Sequence, residues 1–345
     1  MRFAWSLAAF ALACGASPNS PTRTSTEAPA PLRPGPLTGY IPAAGLRWLV
    51  VAHPRAVLNE PSWQEAARHL VSDERLDDFA RASGIDLRRT REAIVAGYAL
   101  GVLYAVRSDG AAVHAEERFA ARSLHGVKVD RPHPDLTRVS GVIGATPQTL
   151  LRIGSDIVAI GVGDPMPIRA AEAFALGRLK RSVPVFRGAA LAGLAEYEAD
   201  APFRFFALGP FDEPWESAAL GLLGAASAVG VAARPAGGER LRARLHIAGD
   251  FANTNDHDTP LSRLARAWHA VSESSFGRLL GLDETVEPPR LAATEGGLSL
   301  DVAFEVMPLA RGLHAATAGG VKEILGGLEP TPSSPGPAVE PPSKP

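Results

Sequence analysis

Apolar and polar residues alternate along several stretches of the chain, and glycine-rich turns interrupt these stretches. Alternation with a period of two places the apolar side chains on one face of a strand, and two such strands joined by a glycine turn form an antiparallel hairpin. The pattern predicts hairpins over residues 98–121, 227–249 and 290–306. Helical signals lie between them, since Ser72 suits the start of a helix and Gly84 its left-handed end. The predicted fold class is therefore α+β, with an antiparallel sheet packed against helices.

The predicted hairpins also resemble one another in spacing. Ala105, Arg107 and Gly110 correspond to Ala232, Arg234 and Gly237, and after one inserted residue Val113, Ala115 and Phe119 correspond to Leu241, Ala243 and Ile247. A third copy over residues 292–304 is looser. The correspondence favours a weak internal duplication. The alternative is that any hairpin with a glycine turn and a period of two shows the same pattern.

Two dipeptides add helix-start signals, because each pairs a residue that caps helices with a proline suited to the first helical position. Thr146–Pro147 predicts a short helix between two strands, and Thr259–Pro260 predicts the start of a second helix.

Composition divides the chain into a body and two flanks. Seven prolines fall within residues 15–45 and seven more within residues 329–345, and neither flank has enough large apolar side chains to form a core. We predict a signal peptide at 1–13, a lipidated cysteine with a Pro/Ser/Thr-rich tether at 14–45, a globular body at 46–328 and a disordered tail at 329–345. The body could consist of two coupled halves, at about 46–200 and 201–328.

Charge and cysteine content exclude several classes of protein. The chain has 35 basic and 37 acidic residues, so a strongly basic nucleic-acid-binding protein is excluded. Its single cysteine cannot form an intramolecular disulfide or supply a cluster of thiolate ligands for zinc or iron–sulfur. We predict no cofactor and no nucleic-acid partner.

The amino terminus carries the most specific motif. Met1 and Arg2 precede an apolar run from Phe3 to Ala13, which has the length of an export signal and is too short to span a bilayer. The run ends Ala11-Leu12-Ala13-Cys14-Gly15, which resembles the lipobox of bacterial lipoproteins. Ala11 departs from the commonest form of that motif, in which leucine stands at this position, and the basic region is short.

The resemblance implies how the protein is attached and where. In bacterial lipoproteins the signal peptide is cleaved before the cysteine, which carries acyl chains, so Cys14 is the expected anchor to the membrane. Two or more acyl chains hold a protein stably at a bilayer. Because the class's inner-membrane retention signal is an aspartate after the cysteine, Gly15 favours the outer membrane, facing the periplasm or the exterior. An ordinary cleaved signal peptide is the alternative.

One loop contains many oxygen ligands that could bind a hard cation such as calcium. The side chains singled out as weak metal candidates are Asp250, Asp256, His257 and Asp258. The loop lacks the glycine and the distal glutamate of an EF-hand, and it precedes Thr259–Pro260, where acidic residues also suit a helix start. No sequence motif of a nucleophile, phosphate loop or metalloprotease is present. We therefore assign no catalytic residue.

A basic stripe and an aromatic cluster each allow a structural and a functional interpretation. Arg240, Arg242, Arg244 and His246 alternate with apolar residues, so they share one face of a strand, opposite Asp301 and Glu305 of the third hairpin. We expect cross-strand ion pairs there rather than a site for acidic ligands. Phe203, Phe205, Phe206, Phe211 and Trp215, with the apolar run Ala218 to Ala233, either fill the core or form the wall of an apolar pocket.

These observations support three hypotheses about function. The first is a membrane-anchored envelope lipoprotein that binds or scaffolds an unidentified partner at the envelope, an envelope protein or an apolar ligand, without catalysis. The second is a carrier of an apolar ligand or lipid, based on the aromatic cluster and the apolar run. The third is a hydrolase or metal-dependent enzyme centred on the loop that contains His257. The sequence favours a non-enzymatic protein because it lacks recognisable catalytic motifs.

Overall fold

A single antiparallel sheet of twelve strands organises the part of the chain that the computed structural model describes, residues 32, 35–178, 182–194, 197–251, 259–294 and 296–326. The strands are β1 (Leu46–Ala52), β2 (Thr90–Tyr98), β3 (Gly101–Ser108), β4 (His125–His133), β5 (Leu136–Ile143), β6 (Thr146–Ile153), β7 (Ile157–Gly163), β8 (Phe203–Leu208), β9 (Ala226–Pro235), β10 (Arg240–Gly249), β11 (Arg290–Thr294) and β12 (Gly297–Glu305). Their order across the sheet is β11-β12-β10-β9-β8-β1-β2-β3-β7-β6-β5-β4.

Helices cover both faces of this sheet. They are α1 (Pro54–Leu58), α2 (Gln64–Leu70), α3 (Asp73–Ser83), α4 (Ala111–Arg122), α5 (Met166–Ala175), α6 (Ala189–Ala192), α7 (Glu213–Ala218), α8 (Pro260–Ser272), α9 (Ser275–Leu279) and α10 (Val306–Gly326). The predicted α+β class is confirmed. Among the described residues, no helix is long and apolar enough to cross a membrane.

Strand alternation divides the core between the two faces. On one face, Leu49, Leu103 and Phe206 join the largest buried cluster, which also contains Ile168 of α5. On the opposite face, α4 covers a cluster over β5, β6 and β7, and α8 covers another over β9, β10 and β12. The neighbouring side chain Phe205 points to this second face because successive residues of a strand alternate. The second face contains the candidate site.

The first predicted hairpin is wrong in its second strand. β3 pairs with β2 instead, and residues 111–122 form α4. Buried Ala112, Ala115 and Phe119 are spaced three and four residues apart, so they form one stripe of a helix, while Val113 is exposed. Ala115 and Phe119 are four residues apart, and this spacing fits both the period of two of a strand and the turn of a helix. The segment therefore shows an apparent strand alternation.

The other two hairpins are confirmed, as β9–β10 and β11–β12. The internal correspondence therefore fails at its first copy, since Val113, Ala115 and Phe119 are helical whereas Leu241, Ala243 and Ile247 lie in β10. The helix predicted at Thr146–Pro147 is also wrong. Those residues begin β6, in which Pro147 pairs with Val142 of β5.

The packed body begins before residue 46, within the segment expected to be a tether. Leu37, Tyr40 and Ile41 are buried in the largest core cluster, and the Tyr98 hydroxyl donates a hydrogen bond to the Pro42 carbonyl, 2.9 Å away. These apolar side chains occur late in a proline-rich flank, so composition averaged over the flank concealed them. The two expected halves share one continuous sheet, because β1 pairs with both β2 and β8.

The signal peptide at 1–13, Cys14 and the tail at 329–345 lie outside the described residues. Their assignment remains a prediction.

Candidate functional site

An open groove of about 950 Å³ lies between the second face of the sheet and the helices α7 and α8. The residues that line it are Arg47, Trp48, Val50, Ala99, Phe205, Ala207, Leu208, Pro210, Phe211, Asp212, Trp215, Ala219, Leu222, Leu223, Val229, Leu245, Ile247, Leu264, Ala267, Trp268, Val271 and Leu300. Among the described residues of this wall, only Arg47 and Asp212 carry a charge. The volume falls within the range of small-molecule sites, about 300–1,000 Å³.

The floor of the groove consists of alternate residues of neighbouring strands. In β8, Phe205 and Ala207 face the groove, while Arg204 and Phe206 face the opposite core. Cross-strand register extends the apolar floor, because Ala207 pairs with Trp48 of β1 on one side and with Val229 of β9 on the other. The period-two pattern of these strands therefore produces a continuous apolar surface.

A glycine makes room for the indole of Trp48 in this floor. Gly97 of β2 pairs with Trp48, and a Cβ atom built on Gly97 would lie 2.1 Å from Cε2 of the indole. Any larger residue at this position would have to displace the ring. Gly97 thus determines the position of the Trp48 indole in the floor of the groove.

Helix α8 forms the opposite wall through a stripe of residues spaced three or four apart. Leu264, Trp268 and Val271 face the groove, and the ring of Trp268 lies 6.3 Å from that of Phe304. The helix begins as predicted at Thr259–Pro260, where the Thr259 hydroxyl accepts a hydrogen bond from the backbone N–H of Ser262 at 3.2 Å. The cap orients the start of this wall.

The mouth of the groove combines an aromatic ring with two charges. Trp215 of α7 is 60% exposed although it lines the groove. Arg47 and Asp212 are exposed at the rim, and neither side chain forms a hydrogen bond or ion pair with a residue that the structure describes. An apolar interior with one cation and one anion at its edge suits an amphipathic ligand.

The two sequence features that suggested an apolar pocket converge here. From the aromatic cluster, Phe205, Phe211 and Trp215 line the groove, whereas Phe206 is buried in the opposite core and Phe203 lies at the start of β8. The run from Ala218 to Ala233 contributes Ala219, Leu222, Leu223 and Val229. Both interpretations of the cluster are therefore partly correct, since alternate residues serve the core and the groove.

Sequence reasoning missed the rest of the wall. Trp48 and Val50 belong to a strand that reads as uniformly buried, and nothing local distinguishes their face from that of Leu49. The stripe of α8 could have been found from its helical spacing. No sequence pattern indicated Arg47 and Asp212 as site residues, because their position at the groove depends on strands and helices that are distant in sequence.

Of the candidate metal ligands, only Asp250 belongs to the described residues. It follows β10 and lines a second, smaller hollow with Phe251 and Thr259. Asp256, His257 and Asp258 lie outside the described residues. The residues that the structure does describe contain no group of three or more potential metal ligands. The metal assignment remains a prediction.

The basic stripe of β10 forms the expected cross-strand ion pairs. Arg244 lies opposite Asp301 of β12, and its Nη2 donates a hydrogen bond to the Oδ2 of Asp301 at 2.7 Å. Arg240 lies opposite Glu305, and its Nε is 3.8 Å from the Oε1 of that glutamate. Glu198, which precedes β8 in the chain and is almost fully buried, adds an ion pair with Arg244 that the sequence did not reveal. Hydrogen bonding to Asp301 raises the pKa of Arg244. The stripe thus has a structural role on the face opposite the groove.

Comparisons with known proteins add little to this description. No protein-family model matches the chain, and no curated protein sequence matches it. A solved structure described as "Structure of crystal form III of TP0453" is similar, with 8% sequence identity and a TM-score of 0.49. The similarity covers 82% of this chain and 99% of that one.

Proposed function

We propose that the protein is a non-catalytic binding protein that holds the apolar part of an amphipathic lipid in the groove. The observation that carries the proposal is the wall of apolar side chains around about 950 Å³, interrupted only by Arg47 and Asp212 among the residues described there. Small-molecule sites are lined mainly by apolar and aromatic side chains with a few polar groups, as this groove is. This proposal takes up the second hypothesis from the sequence, a carrier of an apolar ligand or lipid, in place of the first.

The favourable free energy of lipid binding would come from the transfer of an acyl chain from water to the apolar wall of the groove. Each buried methylene contributes about 0.8 kcal/mol, so a chain of ten or more methylenes gains enough to offset the loss of its own freedom. Apart from Arg47, Asp212 and the indole N–H groups of three tryptophans, the side chains around the groove provide no polar partner for the hydroxyl groups of a sugar or a nucleotide. Arg47 would contact an acidic headgroup at the rim, and Asp212 an amine.

The proposed setting is the cell envelope. Attachment through acylated Cys14, with the body held at the outer membrane, would place the groove beside a large store of lipid. The proposal of a lipid ligand does not depend on that attachment, because it rests on the described groove alone.

Lipid analysis of the purified full chain tests this function. We expect organic extraction followed by mass spectrometry to recover about one acyl lipid per chain, in addition to any lipid attached covalently. Ala207→Trp would fill the floor of the groove, so the recovered lipid should fall at least tenfold. Ala292→Trp is the matched control, because Ala292 is an exposed strand residue outside the groove.

Thermal unfolding of both variants keeps the test interpretable. If Ala207→Trp folds as the parent does and still carries the same amount of lipid, the proposed function is wrong. Recovery of no lipid from the parent chain, even after incubation with phospholipid, would refute it as well.

A further inference from the structure

The two ends of the sheet differ in their hairpin turns. At the end where the groove opens, the β2–β3 and β5–β6 turns are Ala99–Leu100 and Gly144–Ala145, and none of these residues is charged. Carboxylates stand in other connections at this end, since Asp164 follows β7, Asp212 follows β8 and Asp250 follows β10. At the opposite end, the turns after β3, β4, β6 and β9 contain Asp109, Asp135, Asp156 and Glu239 respectively. The groove end thus presents two uncharged hairpin turns beside its charged connections.

Exposed apolar side chains occur in the connections at the end where the groove opens. Leu100 is 80% exposed, Met166 62%, Trp215 60% and Leu220 46%, and these four side chains are the tips of this end. Hydrogen bonding joins two of these tips, because the backbone N–H of Asp164 donates to the Leu100 carbonyl at 3.0 Å and the Asp164 carboxylate accepts from the N–H of Met166. Ala99, beside Leu100, lines the groove itself.

We infer that this end of the sheet docks on a phospholipid bilayer, with Leu100, Met166, Trp215 and Leu220 inserted between the lipids. The groove would then open toward the acyl chains, so that a lipid could enter without crossing water. This inference rests on the proposed function for the identity of what enters, but docking itself can be measured separately.

The form of the surface favours a fluid bilayer over a protein partner. Leu100 lies in the β2–β3 turn, Met166 begins α5, and Trp215 and Leu220 lie in the connection between β8 and β9. Exposed side chains on three separate connections can insert among lipids without a shaped recess to receive them. Trp is also the residue type most enriched at membrane interfaces. Amphipathic ligands of the proposed class reside in bilayers, so a loading surface would have to contact one.

Charges around the tips favour a zwitterionic surface over an anionic one. Asp212 and Glu213 precede Trp215, and Asp250 lies at the same end beyond β10, whereas Arg47 is the cation of the groove rim. No basic cluster stands among the described residues at these tips, so attraction to anionic lipid does not drive docking. We therefore expect docking that is insensitive to salt and weaker on anionic vesicles.

The segment between the expected anchor at Cys14 and Gly35 is long enough to allow this orientation of the sheet. Residues 35–37 lie toward the opposite end of the sheet, since the Gly35 carbonyl accepts from Arg107 at 2.6 Å and the Leu37 N–H donates to Glu92 at 3.3 Å. The sheet is about 26 Å long at β3, given eight residues at about 3.3 Å each. Twenty residues separate Cys14 from Gly35 and can span at most about 70 Å.

Environment-sensitive labels test the inference on the full lipidated chain. Cys14 is the only cysteine, so Leu100→Cys and Asp135→Cys each provide one unacylated thiol for a polarity-sensitive fluorophore, with the unsubstituted chain as the labelling control. In phosphatidylcholine vesicles we expect a blue shift at position 100 and none at position 135. Equal shifts at both positions, or a shift at position 135 alone, would overturn the inference.

A second pair of variants separates specific docking from general apolar adhesion. With the label at Ala145→Cys, Leu100→Glu with Met166→Glu should abolish the blue shift. Phe276→Glu with Leu279→Glu is the matched control, because these α9 residues are exposed to a similar degree outside the tips. A shift that survives the first pair, or is lost equally in the second, contradicts docking through the tips.

The outcomes also distinguish this inference from the proposed function. Leu100→Glu with Met166→Glu should still yield bound lipid after incubation with phospholipid, because neither residue lines the groove. Loss of the blue shift in the Ala207→Trp variant is not expected, since that change fills the groove and leaves the tips in place. Lipid recovery without any blue shift at position 100 would refute docking alone, and a blue shift at position 100 without lipid recovery would refute the proposed function alone.

Discussion

At the scale of single residues, alternation between two faces decides which side chains form the site. Phe205 and Phe206 are adjacent in β8, yet Phe205 lines the groove and Phe206 is fully buried in the opposite core, where its ring lies 5.3 Å from that of Phe186. The sequence shows both as strand aromatics and cannot say which face is covered, because that depends on where helices distant in sequence pack. The aromatic cluster was therefore recognisable from sequence, but its division was not.

Gly97 gives a prediction at this scale. Gly97→Ala places a methyl group in the space occupied by the Trp48 indole, so the ring or the strand must move. Overpacking of this kind costs about 1–3 kcal/mol of unfolding free energy, and a displaced Trp48 should also lower lipid recovery. Urea denaturation checks the first effect. Gly193→Ala is the control, since no atom lies within 4 Å of its added Cβ, and a change there as large as at Gly97 would contradict the account.

At the scale of elements, the structure separates local signals that determine a helix or strand from those that tertiary contacts override. Ser72, Gly84 and Thr259 cap or end helices as predicted. Thr146–Pro147 carries an equally good local signal, but its segment pairs with β5 and β7, and sheet pairing outweighs one cap. In the 111–122 segment, alanine content and a second apolar period favour the helix that α4 forms.

Strand β10 yields a prediction about pH. Burial lowers the pKa of His246 below its ordinary value of 6.5, and Tyr197, whose ring lies 5.3 Å away, is its aromatic neighbour. The unfolded chain thus binds a proton at this residue more readily than the folded one does. Stability should therefore decrease as the pH falls from about 7 through the unfolded value and the lower folded value.

The measurement is the denaturation midpoint as a function of pH. His246→Gln should flatten the decrease between about pH 7 and pH 5, whereas the same change at exposed His114 should leave it unaltered. A pH dependence that persists unchanged in His246→Gln would show that other groups produce it.

At the scale of the whole molecule, an apolar groove opens at an end of the sheet that carries exposed apolar side chains, and the sequence predicts a lipid anchor. The fold class and two of the three hairpins were predictable, because the local alternation of apolar and polar residues and the turns between strands indicate antiparallel pairing. The groove was not, because its wall brings β1, β8, β9, β10 and β12 together with α7 and α8. Only the aromatic cluster and the apolar run indicated its existence, and the anchor at Cys14 remains a prediction from the lipobox resemblance.

The central claim, that the groove holds an acyl chain, is tested most directly by quenching of tryptophan fluorescence with a brominated acyl lipid. Trp48, Trp215 and Trp268 line the groove, whereas Trp63 is buried in a separate cluster with α10. We predict quenching that saturates near one lipid per chain and that is lost when the three groove tryptophans are replaced by phenylalanine, but kept in Trp63→Phe. Quenching that never saturates, or that survives the triple replacement, would contradict the account.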